Sequence, residues 1–89
     1  MYGVIRRYQN PKLIETLQQR QQDVENVIRP IPGFVAYYII KSSDGGATVT
    51  VCQDKSGTDA SVQRAADWVR QNAPHAAGTP PEITEGEVI

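Results

Sequence analysis

The sequence predicts an α+β fold whose elements follow the order β-α-β-β-α-β. Residues Tyr2 to Tyr8 alternate and are rich in β-branched and aromatic types, as strands are. Two later segments place apolar residues at the spacing of amphipathic helices, and the turn Asp44-Gly45-Gly46 separates two strand-like runs. This order matches the ferredoxin-like arrangement, an antiparallel four-stranded sheet with two helices on one face. At 89 residues we expect a single domain over 1–89.

The first predicted helix begins at Asn10-Pro11 and runs to about Ile28. Asn is a favoured N-cap residue and Pro suits the first helical position. Arg20 falls inside the apolar stripe of this helix, whereas the prolines after Arg29 end it. The residues of the stripe are Leu13, Leu17, Val24, Val27, Ile28 and Ile31.

A hairpin is predicted over Gly33 to Asp54, with Thr48 to Cys52 as its return strand. Thr58 is the expected N-cap of a second helix that Pro74 closes, and the segment from Glu82 to Ile89 alternates as an edge strand would. The predicted core stripe of the second helix consists of Val62, Ala65, Ala66, Val69 and Ala73.

The first strand of the hairpin is apolar on both faces. Strand alternation predicts that one face carries Phe34, Ala36, Tyr38 and Ile40, and that the other carries Val35, Tyr37 and Ile39. Only one set can meet the helices, and exposing the other would forfeit several kcal/mol at about 25 cal/mol per Å². The sequence therefore predicts that a second copy of the chain covers the bare sheet face, giving a homodimer.

Composition excludes several classes of protein. Nine Lys and Arg residues nearly balance ten Asp and Glu residues and are spread along the chain, so we expect neither a nucleic-acid nor a membrane partner. The single cysteine, Cys52, excludes an internal disulfide and is expected to be a small core residue. With His75 as the one imidazole there is no zinc-ligand set, and we expect no cofactor. The N-terminal segment lacks the pattern of a signal peptide, so the expected location is the cytoplasm.

One stretch carries a family resemblance. The run Pro-Gly-Phe-Val-Ala-Tyr-Tyr after an amphipathic helix, followed by a hairpin and a second helix, resembles the dimeric α/β-barrel superfamily. In particular it is similar to small domains of the antibiotic-biosynthesis-monooxygenase type. The resemblance implies that two ferredoxin-like subunits pack sheet to sheet, with pockets between each sheet and its helices or within the barrel. It implies little about function, because members include cofactor-free oxygenases, haem-degrading enzymes, isomerases and sensors.

Arg6 and Arg7 are adjacent on the first strand and therefore point to opposite faces. One interpretation is an ion pair at the edge of the core with a carboxylate such as Asp54 or Glu85. The other is an anion-binding group in a cavity, beside Tyr8 or Tyr38, because the Arg fork matches carboxylates. The same two interpretations apply to Arg20.

Trp68 lies at the border of the predicted core stripe of the second helix. It can pack against a loop or a partner subunit, or it can line a ligand pocket. Haem-degrading members of the superfamily use an Asn, a Trp and a His, which invites a comparison with Asn10, Trp68 and His75. Asn10 is better explained as an N-cap, and His75 follows the proline that ends the helix.

The predicted ligand-binding residues are thus Arg6, Tyr8, Tyr38 and Trp68, and no residue is singled out as catalytic. The first functional hypothesis is a non-catalytic binding or accessory domain for a small molecule. The alternative is a cofactor-independent monooxygenase-like enzyme acting on an aromatic or polyketide-like small molecule. A haem-related or stress-response role is a third possibility. A pocket with a convergent Arg and Tyr would favour the enzyme, and solid packing around these residues would exclude it.

Overall fold

The computed structural model describes residues 1–74 and 80–89, which form a four-stranded antiparallel sheet and three helices. The elements are β1 (Tyr2–Tyr8), α1 (Pro11–Gln19), α2 (Gln21–Ile28), β2 (Phe34–Ser42), β3 (Gly45–Cys52), α3 (Lys55–Asn72) and β4 (Glu82–Glu87). The strand order is β2-β3-β1-β4, so β1 is central and β4 is an edge strand. The predicted ferredoxin-like α+β fold is confirmed. None of the helices in the described ranges is long and apolar enough to cross a membrane.

The first predicted helix is two helices, because the backbone of Arg20 leaves helical geometry at φ −114° and ψ 32°. Asn10 is the N-cap, as predicted, and its side chain accepts hydrogen bonds from the backbone N–H groups of Lys12 and Leu13. The Arg20 side chain is exposed rather than buried in the core. Its guanidinium lies 5.2 Å from the ring centre of Trp68 and forms a salt bridge with Asp23 at 2.8 Å. Of its two interpretations, the ion pair at the core edge is the one observed.

The last helix, α3, begins four residues earlier than the sequence predicted, and Asp54 rather than Thr58 is its N-cap. The Asp54 carboxylate accepts from the backbone N–H of Gly57 at 3.2 Å and from the Ser56 hydroxyl. These hydrogen bonds lower the pKa of Asp54, the one from Ser56 most strongly. Thr58 is buried inside the first turn, where its hydroxyl donates to the Lys55 carbonyl.

The hairpin needs glycine at the point where its turn passes the end of β1. Gly45 has φ of +150°, and a Cβ built there would lie 2.0 Å from the carbonyl oxygen of Tyr8. The predicted positive φ is therefore confirmed at Gly45, but Gly46 does not share it. β3 begins at Gly45, three residues before the predicted Thr48, because pairing with β2 continues up to the turn.

A bulge in β2 changes which side chains meet the core. The register with β3 shifts between Phe34 and Ala36, so Phe34 packs against the core together with Tyr37 and Ile39. Tyr38 and Ile40 lie on the opposite face, where they are 59% and 51% exposed. The prediction that Phe34 shares a face with Tyr38 and Ile40 is wrong, because one extra residue reverses the alternation.

The helices pack on one face of the sheet, and the other face carries a continuous apolar surface. Pairing across the strands places Tyr38, Val49 and Ile5 side by side, with Arg7 and Glu82 paired on the two strands at one end. We call this surface the open face. Its residues on the three strands β2, β3 and β1 are Ala36, Tyr38, Ile40, Ala47, Val49, Val51, Ile5 and Arg7.

Candidate functional site

The central strand β1 directs Val4, Arg6 and Tyr8 toward the helices, and all three are buried. Arg7 is exposed and belongs to the open face. The two arginines therefore point to opposite faces, as predicted. Arg6, with 2% of its surface exposed, is the one that lies within the core. A fully buried arginine requires hydrogen bonds for its charged fork, because water no longer solvates it.

Arg6 satisfies only part of this requirement. Its Nε donates to the hydroxyl of Thr48 at 3.1 Å, across the register that pairs β1 with β3. Both terminal nitrogens, Nη1 and Nη2, are buried and form no well-aligned hydrogen bond with the residues that the structure describes, although the hydroxyl of Tyr37 lies near enough for the guanidinium to lower the pKa of Tyr37. No salt bridge between described residues includes Arg6, so the expected ion pair with Asp54 or Glu85 is not observed. Asp54 instead caps α3, and Glu85 lies on the exposed edge strand.

Tyr37 lies close enough to Arg6 to feel its charge. Burial raises the pKa of the Tyr37 hydroxyl to about 12, and the positive charge of Arg6 partly offsets that rise. Tyr8 and Glu25 add smaller contributions that raise the same pKa. The arrangement places one cation and two phenol groups on the helix side of the sheet.

A cavity of about 370 Å³ borders Arg6 between the sheet and the helices. Its volume is in the range of small-molecule sites, and most of its wall is apolar. Elements α1, α3, β1 and β4 contribute to it. The lining residues among those described are Arg6, Tyr8, Leu13, Val62, Ala66, Val69, Arg70, Pro80, Pro81 and Ile83.

Of the four residues predicted to bind a ligand, the structure brings Arg6 and Tyr8 together at this cavity. Tyr38 lies on the opposite side of the sheet, next to a shallower depression that Glu25 and Arg29 border. Trp68 is 6% exposed and packs in the core under the Arg20 guanidinium. The expectation that Trp68 only borders the core is wrong, because α3 is turned so that this edge of its stripe faces α2.

The haem-type constellation finds no support in the described ranges. Asn10 serves as the N-cap of α1, Trp68 is a core residue, and His75 lies outside the described residues. In residues 1–74 and 80–89 no group of three His, Cys, Asp or Glu side chains is arranged to hold a metal ion. Cys52 is buried, as predicted for a core residue, and burial raises the pKa of its thiol.

Several cavity residues were not predicted as functional. Val62 and Ala66 were assigned to the core stripe of α3, yet they line the cavity, because β4 at the sheet edge leaves space beside them. Pro80 and Pro81 lead into β4 and form another part of the wall. The spacing of apolar residues on α3 indicated that Val62 and Ala66 face the interior of the protein. This spacing cannot show whether such residues pack against other side chains or line a cavity.

Comparison with solved structures finds the same fold in other proteins. The structure of NE2512, a protein of unknown function from Nitrosomonas europaea, matches with a TM-score of 0.76 and 18% identity over 99% of this chain and 88% of that one. A candidate antibiotic biosynthesis monooxygenase from Nitrosomonas europaea matches with a TM-score of 0.75 and 14% identity over 100% and 99% of the two chains. MupZ from Pseudomonas fluorescens matches with a TM-score of 0.74 and 14% identity over 94% of this chain and 69% of its own.

The fold is that of antibiotic-biosynthesis-monooxygenase-like proteins. The resemblance found in the sequence is thereby confirmed at the level of architecture. No protein-family model matches the chain, and no curated protein matches it in sequence. At identities below 20% these structures establish how the chain folds, and its function has to be argued from its own residues.

The raised pKa of Tyr37 predicts a loss of stability in alkaline solution. Its folded-state pKa of about 12 exceeds the ordinary value of 10.0, so the unfolded chain releases this proton first as the pH rises. The free energy of unfolding should therefore fall between pH 10 and 12, by roughly 2 kcal/mol from this group. Urea unfolding of Tyr37→Phe should show a shallower decline over that range than the wild-type protein does. A decline of the free energy of unfolding in Tyr37→Phe as steep as in the wild-type protein would contradict the prediction.

Proposed function

We propose that this protein is a binding or accessory domain whose small-molecule ligand occupies the cavity beside Arg6. The observation that carries the proposal is the combination of a mostly apolar wall with two polar side chains, Arg6 and Tyr8, at one cavity of about 370 Å³. Ligand sites typically combine apolar walls with a few polar groups that orient the ligand. Nη1 and Nη2 of Arg6, which have no hydrogen-bond partner among the described residues, support the proposal, because a buried cation without a partner is costly and a bound ligand would supply one.

A binding role is favoured over catalysis because the described lining residues include no clear general base. The ionisable side chains among the described lining residues are Arg6, Tyr8 and Arg70, with no carboxylate and no imidazole. Arginine stays protonated in proteins and an ordinary tyrosine is protonated at neutral pH. General-base chemistry needs a group whose pKa lies near the working pH. The cavity therefore offers recognition more clearly than proton transfer.

The proposal predicts that filling the cavity abolishes ligand binding. Ala66 lines the cavity from an exposed position on α3, so Ala66→Phe should occupy it without disturbing the core. In methyl NMR spectra, addition of 1-naphthol or octanoate should shift the signals of Val62, Val69 and Ile83 in the wild-type protein and should leave them unchanged in Ala66→Phe. The control Gln63→Phe, one turn earlier on α3, should respond like the wild type. Shifts confined to Ile5 and Ile40 on the open face, or none at all, would contradict the proposal.

A cofactor-independent monooxygenase is the second candidate, and the position of Arg6 and Tyr8 in one apolar cavity favours it. A cationic side chain stabilises a phenolate or enolate, and such an anion can supply the electrons that reduce oxygen. In that reaction a substrate CH₂ group and O₂ give a carbonyl group and water, so no external reductant is required. Oxygen uptake is measured with 1,8-dihydroxyanthrone as the probe, for the wild-type protein and for Arg6→Met. A monooxygenase should consume oxygen faster than the solution without protein, and Arg6→Met should be slower than the wild type. A binding domain should leave the rate of oxygen uptake equal to the rate without protein.

We also propose that two copies of the chain pack through their open faces as a homodimer. Tyr38, Ile40 and Val35 are large apolar side chains exposed on or beside this face, and monomeric soluble proteins rarely expose such a continuous patch. Arg7 and Glu82 lie at one end of the face, where opposite charges can pair across a two-fold axis. A dimer of this kind leaves the ligand cavity free, because the cavity is on the helix side of the sheet.

The dimer predicts a specific response to charge on the open face. Tyr38→Glu places a carboxylate at an exposed position, so the subunit should still fold while association weakens because the charge would be buried at the interface. Sedimentation equilibrium at micromolar concentration should give a dimer for the wild-type protein and a monomer for Tyr38→Glu. The control Gln22→Glu, exposed on α2, should remain dimeric. A monomeric wild-type protein would refute the proposed assembly.

We further propose that residues 1–89 act as one domain in the cytoplasm. Cys52 is the one cysteine of the chain and is buried as a free thiol, which suits a reducing compartment.

A further inference from the structure

We infer that the ligand of the Arg6 cavity is a monocarboxylate, whose two oxygens pair with Nη1 and Nη2 of Arg6 while its apolar body fills the cavity. The inference rests on the proposed binding function and goes further, because it assigns a chemical class to the ligand. Three observations support it: the geometry of Nη1 and Nη2, the lack of a salt-bridge partner for Arg6 among the described residues, and the apolar character of the cavity wall.

The free nitrogens of Arg6 form the end of a planar fork. Nε is already engaged by the hydroxyl of Thr48, and this hydrogen bond limits rotation of the guanidinium group about its stem. The two donors that remain, Nη1 and Nη2, lie side by side in the guanidinium plane. A carboxylate presents two acceptor oxygens at a matching separation, and such pairs are frequently bidentate. An alcohol or ketone would occupy only one of the two donors.

The charge of Arg6 is the second observation. Among the described residues Arg6 has no salt-bridge partner, although its surface is 2% exposed. A neutral ligand would leave this cation buried without compensation, whereas an anion would remove the penalty and gain Coulomb energy in a medium of low polarity. The site therefore discriminates between an acid anion and its neutral amide more strongly than between apolar bodies of different shape.

The wall of the cavity limits the ligand to one charged group. Leu13, Val62, Val69 and Ile83 supply apolar surface around the space beyond Arg6. The second cation at the cavity, Arg70, forms a salt bridge with Asp67 one turn earlier on α3 and is largely exposed. Arg70 is already paired with Asp67. A second carboxylate on the ligand would therefore find no unpaired cation among the described lining residues. A monocarboxylate with an aliphatic or aromatic body fits better than a dicarboxylate.

The test compares ionised acids with neutral amides of the same shape. Octanoate and 3-phenylpropanoate are titrated into the protein of residues 1–89 beside octanamide and 3-phenylpropanamide. Dissociation constants are measured by NMR titration at pH 7.5. Each acid should bind at least about tenfold more tightly than its amide, as expected for hydrogen bonds to a charged group. The dicarboxylate suberate should bind more weakly than octanoate.

Variants of the adjacent arginines supply the control. Arg6→Met should weaken binding of both acids at least about tenfold and leave the amides unchanged, because only the acids use the charge. Arg6→Lys keeps the charge without the fork and should restore part of the acid affinity. Arg7→Met, the neighbouring arginine on the open face, should bind every probe like the wild type.

The outcomes separate the inference from the proposed function. If the amides bind as tightly as the acids and Arg6→Met changes neither, the carboxylate inference is overturned and the cavity remains a binding site. If suberate binds as tightly as octanoate, the restriction to one carboxylate is overturned. If no probe shifts the cavity signals, both the inference and the proposed function fail. The acid and amide comparison on the wild-type protein remains decisive even if Arg6→Met does not fold.

Discussion

The proposed function of this protein depends on one buried positive charge, that of Arg6. Arg6 sits in the middle of the central strand, on the side of the sheet that the helices cover, where most neighbouring side chains are apolar. One hydrogen bond to Thr48 holds its side chain, and two of its nitrogens have no partner in the described parts of the chain. A residue chosen for stability alone at this position would be apolar. The retained charge is therefore most simply explained by a ligand that uses it.

The two proposed tasks, ligand binding and association of two copies, fall on opposite faces of the sheet. The helix side contains the hydrophobic core and, next to β4, the cavity that borders Arg6 and Tyr8. The opposite side presents Tyr38 and its apolar neighbours, which are suited to contact with a second copy. Arg6 and Arg7 are adjacent in sequence, yet the period of two along the strand assigns one arginine to each task. This separation means that ligand binding and association can be altered independently by mutation.

Local sequence signals predicted the elements well, because each depended on a small number of neighbouring residues. Asn10 and Pro11 defined the start of α1, and β1 was predicted with its observed bounds, Tyr2–Tyr8. Errors arose where contacts between residues distant in sequence, or small changes in backbone geometry, determine the local structure. The bulge beside Phe34 depends on pairing with β3, and the break at Arg20 accompanies contacts of its guanidinium with Trp68 and Asp23. Neither the pairing with β3 nor the contact with Trp68 has a signature in the local sequence.

The candidate site could be predicted only in part, for a related reason. Strand alternation predicted that Arg6 and Arg7 point to opposite faces of the sheet. It could not predict which of the two faces the core, because that depends on the side of the sheet on which the helices pack. The sequence analysis gave Tyr8 and Tyr38 as alternative neighbours of the arginine, and the structure brings Tyr8 to Arg6, because these two residues lie two positions apart on one strand. Tyr38 and Trp68 were chosen by residue type, and the fold directs them elsewhere. Empty space beside Val62 results from where β4 ends the sheet, which side-chain spacing on α3 does not encode.

The most direct measurement of the central claim is the stability of the ligand-free protein with and without the charge at position 6. Urea unfolding at pH 7 would compare the wild type with Arg6→Met and with Lys12→Met, an exposed position on α1, as the control. We expect Arg6→Met to raise the free energy of unfolding by about 1–3 kcal/mol, because removing an uncompensated buried charge outweighs losing the bond to Thr48. Lys12→Met should stay within about 0.5 kcal/mol of the wild type. An Arg6→Met variant less stable than the wild type would show that Arg6 stabilises the fold, and would contradict its assignment as a charge held for a ligand.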